Sequence, residues 1–195
     1  MGQSEEIPGL WLLALKGPAG TGKSSLARAL GLRLSWPVVD KDDVKDVLAG
    51  RTLEVGGLAY DVMWSVARRQ LLQGLCVICD SPLTFACGYV RAKQIAHEAG
   101  ARIAIVECTC PDDTIWRERI EGRKALALPA HHQRDWSVFR LSSASHPEAY
   151  PIEAPHLVLD TARELSDLVR EGVDWLRQLT IDSLHSGPSD VQPAS

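Results

Sequence analysis

Apolar residues along this chain come in short blocks set apart by polar turns, and two kinds of block take turns. The run Leu10–Leu15 stops at Gly17 and predicts a buried strand, whereas Leu26, Ala27, Leu30 and Leu34 recur at helical spacing. Trp36-Pro37 breaks that helix, since a residue before proline prefers extended geometry. Pro37–Val39 then predicts a short strand ending at Asp40. The acidic run Asp40–Asp46 predicts a helix start, with Asp40 or Asp42 as cap and acids in the first turn. A glycine-bearing loop is expected over Gly50–Gly57, then a helix over Leu58–Gln73 with Leu58, Val62, Val66 and nearby Met63 on one side. Leu75–Cys79 predicts a strand with Asp80 at its end, Phe85–Ala99 a helix closed by Gly100, and Ala101–Glu107 a strand. Pro111–Lys124 begins with the helix-start signature Pro-Asp-Asp. Ala125–Tyr150 shows no period. His156–Leu159 predicts a fifth strand, ending at Asp160-Thr161, and Leu165, Leu168, Val169, Leu176 and Leu179 mark a last helix. The first eight residues are expected to be flexible, and from about Ile181 a tail rich in Ser, Gly, Pro and Asp is expected to be disordered.

Strands alternating with helices imply an α/β fold, a parallel sheet with helices on both faces forming three layers. One domain is expected, over residues 9–180. Ligands of such sheets bind at the carboxyl ends of the strands. Gly17, Asp40, Asp80 and Asp160 should therefore converge.

The strongest chemical signal lies between the first strand and helix. Gly17-Pro18-Ala19-Gly20-Thr21-Gly22-Lys23-Ser24 fits G-x-x-x-x-G-K-[ST] in the strand–loop–helix setting that motif requires. Its glycines bring backbone N–H groups close to phosphate oxygens, and the following helix adds the positive end of its dipole. Lys23 is placed for the β- and γ-phosphates and the Ser24 hydroxyl for Mg²⁺, with Ser25 next to them. An apolar strand ending in Asp80 is the pattern of a residue that holds Mg²⁺ directly or through water. Within the predicted helix Pro111–Lys124, Arg119 and Arg123 lie at i,i+4 on one side. Such a guanidinium pair on a mobile helix can neutralise a transferring phosphoryl group. A solvated helix with Glu118 and Glu121 as salt-bridge partners is the plainer alternative.

Composition narrows the setting. With 21 Lys and Arg against 25 Asp and Glu, the net charge of −4 gives no overall basic excess to draw nucleic acid. No apolar run approaches a membrane span, and the opening MGQSEEIP has no signal-peptide pattern. The five cysteines are odd in number and most lie in apolar runs, so buried reduced thiols and a cytoplasmic setting are expected.

Taken together, the segments GPAGTGKSS, VVDKDDVKDVL, VICDSP, WRERIEGR and LVLDT resemble the small P-loop kinases grouped as predicted kinases, an AAA-type set with zeta-toxin-like and polynucleotide-kinase-like branches. The resemblance runs from Leu10 to about Leu176. It implies a P-loop NTPase fold with five parallel strands in the order 2-3-1-4-5 and a helical lid over about 111–145. It also implies that Asp42, the first Asp of the D-D pair, is general base toward an acceptor hydroxyl. Lys45 would hold an acceptor phosphate, with lysine where arginine is usual, Arg119 and Arg123 would be the lid arginines, and the adenine would lie near Asp160-Thr161. The expected activity is ATP- and Mg²⁺-dependent transfer of the γ-phosphoryl group to the hydroxyl of a small molecule. A polynucleotide 5′-hydroxyl kinase and an ATP-binding regulator or ATPase remain the alternatives. The stretches expected to build the acceptor pocket, Gly50–Tyr60, Thr84–Tyr89 and Ala125–Tyr150, carry no pattern that names the acceptor.

Overall fold

A computed structural model describes residues 6–123, 135–144 and 150–185. In chain order the elements are β1 (Trp11–Lys16), α1 (Lys23–Leu34), β2 (Val38–Asp40), α2 (Lys41–Leu48), α3 (Val55–Leu72) and β3 (Val77–Asp80). There follow α4 (Ala86–Glu98), β4 (Arg102–Thr109), α5 (Asp113–Gly122), α6 (Trp136–Ala144), β5 (His156–Asp160) and α7 (Leu165–His185). The five strands form one parallel sheet in the order β2-β3-β1-β4-β5. Successive side chains of a strand point to opposite faces, so a central strand covered on both sides must be apolar throughout. In β1, Leu13 and Leu15 join the core shared with Leu26 and Leu30 of α1 and Leu176 of α7. Leu12 and Ala14 join the opposite core, with Met63 and Ala67 of α3 and Ile95 of α4.

Several boundaries differ from the sequence reading. Helix α3 starts at Val55, so Gly56 and Gly57 are helical and not loop; the Leu58 N–H already donates to the Glu54 carbonyl at 3.2 Å. Its inner face is Ala59, Met63, Trp64, Ala67 and Leu71, while Leu58, Val62 and Val66 are 39%, 42% and 38% exposed. Apolar residues occur all round this helix, and the side with two alanines is the one that settles on the sheet. The stretch without a readable period contains α6, whereas 124–134 and 145–149, with His131 and His132, lie outside the described residues.

At the termini, the helix expected to end before Ile181 continues to His185, held by Thr180 Oγ1 donating to the Leu176 carbonyl at 3.1 Å and Gln178 to Asp182 at 2.7 Å. The opening segment is anchored from Ile7, which is buried in the core, and the Trp11 indole donates to the Pro8 carbonyl at 2.9 Å.

Helix α1 approaches the sheet edge through Gly31. A Cβ there would stand 2.7 Å from Val38 Cγ2 and 3.0 Å from the Trp36 carbonyl oxygen. Gly31→Ala gains roughly 0.5–1 kcal/mol from helix propensity, but overpacking of this kind costs about 1–3 kcal/mol. The substitution is expected to destabilise the fold; urea denaturation giving a more stable variant would contradict this packing.

Candidate functional site

The phosphate-loop motif turns directly off β1. Gly17 has φ +135, and a Cβ on it would stand 2.3 Å from the Cys108 carbonyl oxygen, so no side chain fits where the loop leaves the sheet. The Gly17 N–H donates to the Pro82 carbonyl at 3.1 Å, which ties the loop base to the segment after β3. At the other end Gly22, also left-handed, precedes α1 with no side-chain cap. The first N–H groups of α1 therefore have no side chain competing for them, the arrangement that suits an anion. Lys23 is buried, and its Nζ donates to the Pro18 carbonyl at 2.7 Å, beside the Thr21 hydroxyl, which donates to the same carbonyl at 2.9 Å. Burial pushes the Lys23 ammonium below its usual range, and Asp80 opposes that shift. Ser24 is half-buried and Ser25 exposed, both in the first turn of α1.

An acidic group faces this loop. Strands β2 and β3 pair so that Asp40 and Asp80 stand opposite each other at their carboxyl ends. Asp40 caps α2 by accepting from the Asp42 N–H at 2.8 Å. Burial, then the neighbouring Asp80, raise the Asp40 carboxyl to about 7 against that hydrogen bond. Asp80 is 3% exposed, and its Oδ2 has no hydrogen-bond partner among the described residues. Asp42 Oδ1 is paired with Lys41, whose Nζ also lies 5.8 Å from the centre of the Tyr60 ring. The Tyr60 phenol is pushed up by burial and by Asp42, and it neighbours Ser81. Arg123 is partly withdrawn from water, which lowers its pKa, while Asp42 and Asp80 hold it charged. Lys45 lies one turn beyond Lys41 on α2.

The third wall is α5. The Trp116 indole N–H donates to the Ala19 carbonyl at 2.8 Å, and a Cβ on Gly20 would stand 2.7 Å from Ile120 Cδ1. Trp116 is backed by α6, with its ring 5.7 Å from Trp136 and 5.5 Å from Phe139. Arg119 points to the end of β5. Its Nη1 donates to Thr161 Oγ1 at 3.0 Å and its Nη2 to the Thr161 carbonyl at 2.7 Å. The Asp160 carboxylate accepts from the Ala162 N–H at 2.9 Å and so shapes the same turn.

The residues singled out from the sequence thus fall into two groups along the loop. Arg123 interacts with Lys23, Asp42 and Asp80, and Lys23 with Asp80, whereas Arg119 and Thr161 gather against Gly22 with Asp160 next to them in the chain. Sequence reasoning gives Lys41 and Trp116 no role in the site and reaches Tyr60 only as the end of a stretch expected to line the acceptor pocket. For Tyr60 no signal exists, because only the docking of α3 decides which of its faces meets the site.

Asp40 offers a stability test in magnesium-free buffer. Its folded value of about 7 stands above the ordinary 3.8, so the folded protein keeps a proton that the unfolded chain releases. The stability this group contributes is present below 3.8 and is lost as pH rises to about 7. Asn keeps the helix cap but cannot titrate. Asp40→Asn should flatten the decline of denaturation midpoint over that window; identical slopes in the two proteins would show that Asp40 does not titrate there.

A protein-family profile described as "AAA domain" matches residues 12–137. No curated protein matches the sequence. Among solved structures, a candidate kinase from Chloroflexus aurantiacus J-10-fl superposes with a TM-score of 0.70 at 23% identity, covering 89% of this chain and 98% of that one. A gluconokinase from Sinorhizobium meliloti 1021 gives a TM-score of 0.66 at 16% identity, over 94% of this chain and 100% of that one. An APS kinase from Mycobacterium tuberculosis, in complex with AMPPNP and APS, gives 0.62 at 21%, over 87% and 98%. At these identities the likeness is one of fold, that of P-loop kinases.

Proposed function

The chain belongs to the AAA domain family, and from that premise we propose that it is a phosphotransferase moving the γ-phosphoryl group of ATP to a hydroxyl of a small molecule. The observation that carries this reading is the position of Asp42. Its carboxylate pairs with Lys41 and interacts with Arg123, which also interacts with Asp80, the carboxylate that favours the charge of the phosphate-loop lysine. A phosphate loop alone serves hydrolysis as well as transfer. A carboxylate held at its γ-phosphate end is what an acceptor hydroxyl needs.

In this reading the backbone N–H groups of Gly20 to Ser24, with Pro18 and Ala19 shaping the turn, bind the phosphates, and Lys23 leaves the Pro18 carbonyl for their oxygens. Asp42 Oδ1 stays with Lys41, and Oδ2 accepts the proton of the acceptor hydroxyl. Arg123, already drawn toward Asp42 and Asp80, stabilises charge on the transferring group. Lys45 lies on the acceptor side and Arg119 on the nucleotide side, near Asp160 and Thr161. The Ser24 hydroxyl and Asp80 would hold Mg²⁺. A buried carboxylate oxygen with no partner of its own suits that role, and the ion when bound supplies charge neutralisation.

The fold neighbours named as gluconokinase and APS kinase act on small molecules by their names, which favours a small acceptor here. The net charge of −4 points the same way.

Transfer from γ-labelled ATP with Mg²⁺ to a panel of hydroxyl metabolites and one 5′-hydroxyl oligonucleotide tests the proposal. Label is expected on a small molecule. Lys23→Ala should lower turnover on the order of 10²-fold or more, and Asp42→Asn should abolish transfer while ATP still binds. Label on the oligonucleotide, falling with salt, would replace the small acceptor with a polynucleotide. Phosphate released only to water, equally from Asp42→Asn, would leave an ATPase.

A further inference from the structure

Thr161 sits at a junction of three elements. Its hydroxyl oxygen is 2.8 Å from the Thr21 carbonyl in the phosphate loop, 2.9 Å from the Thr109 carbonyl at the end of β4, and 3.0 Å from Arg119 Nη1 on α5. One hydroxyl carries one proton. That proton goes to the Thr21 or the Thr109 carbonyl, the latter also accepting from the Thr161 backbone N–H at 2.9 Å. The oxygen's lone pairs then face Arg119, whose second Nη takes the Thr161 carbonyl at 2.7 Å. The guanidinium thus has a charge-assisted, two-point grip on Thr161, with Nη1 also donating to Cys110 Sγ at 3.8 Å.

The grip lies against the loop. A Cβ on Gly22 would stand 3.4 Å from Thr161 Oγ1 and 3.6 Å from Arg119 Nη1. Gly22 is the residue from which α1 starts, so the guanidinium is parked beside the N–H groups that face an anion. Thr161 is 4% exposed and Arg119 half-buried, which limits the competition of water for both hydrogen bonds. Its hydroxyl is engaged inside the protein and is not offered to a ligand.

We infer that Thr161 is a positioning residue: its hydroxyl fixes the Arg119 guanidinium against the phosphate loop and joins the lid helix to that loop, so that nucleotide affinity depends on Thr161 through Arg119. This rests on the nucleotide-site reading above. It differs from a direct adenine contact, because the effect of Thr161 should vanish once Arg119 is gone.

The test is a double-mutant cycle read by binding of fluorescent mant-ATP to the full chain, with Lys23→Ala as the control for the site itself. Thr161→Val keeps shape and removes the hydroxyl; it should weaken binding on the order of tenfold or more. Thr161→Ser should bind within about threefold of wild type. Arg119→Ala should weaken binding to a similar degree, and the double variant should be no weaker than the weaker single variant, a failure of additivity that only coupled residues show. Hydrogen exchange supplies a readout that survives poor folding of Thr161→Val: Arg119→Ala should speed exchange of the loop amides in nucleotide-free protein. Multiplying effects in the double variant, or loop amides unchanged by Arg119→Ala, would overturn the inference while Lys23→Ala still upheld the site. No mant-ATP binding by the wild type, or binding indifferent to Lys23→Ala, would overturn both.

Discussion

Adjacent parallel strands lie only ~4.8 Å apart, and β2 and β3 end in register on Asp40 and Asp80. Two carboxylates in that position cannot both be ionised and unattended. The surroundings answer in two ways. Asp40 retains a proton up to about 7, and two cations turn to Asp80, Lys23 from α1 and Arg123 from the end of α5, while Lys41 of α2 pairs with the nearby Asp42. Each gives up some hydration in coming. Lys23 shows the balance most clearly, since burial disfavours its charge while Asp80 favours it. The charge at one sheet edge is thus met by groups from the loop, the acidic helix and α5.

Chemistry encoded by contiguous residues is legible in the sequence itself. The phosphate loop is such a case, because its turn, its glycines and its lysine depend on neighbours along the chain. The strands are legible too, since burial on both faces leaves an apolar run with a polar end, and Asp40 and Asp80 are the strand ends that pattern marks. The strand order follows only from family resemblance, because nothing in the strands' own sequences orders them.

What escapes the sequence depends on contacts between elements. Helix α3 has apolar residues on every side, so periodicity allows two phases. Close packing chooses Ala59 and Ala67 over Leu58 and Val66, and with that choice Tyr60 reaches the site. The two lid arginines look equivalent at i,i+4. The structure parts them, Arg119 to the end of β5 and Arg123 to the carboxylates, because the helix passes over the loop from one end to the other.

That passage makes α5 a lever. Trp116 on Ala19, Arg119 on Thr161, Ile120 on Gly20 and Arg123 beside Asp42 share one helical face, over a length of ~10 Å. The α-helix is stiff over such a distance, so these contacts cannot be adjusted one at a time. A tilt that loosens the indole at one end swings the guanidinium at the other. The contacts at the two ends of α5 are thereby mechanically geared, and the gear ratio is set by where α5 rests on the glycine loop.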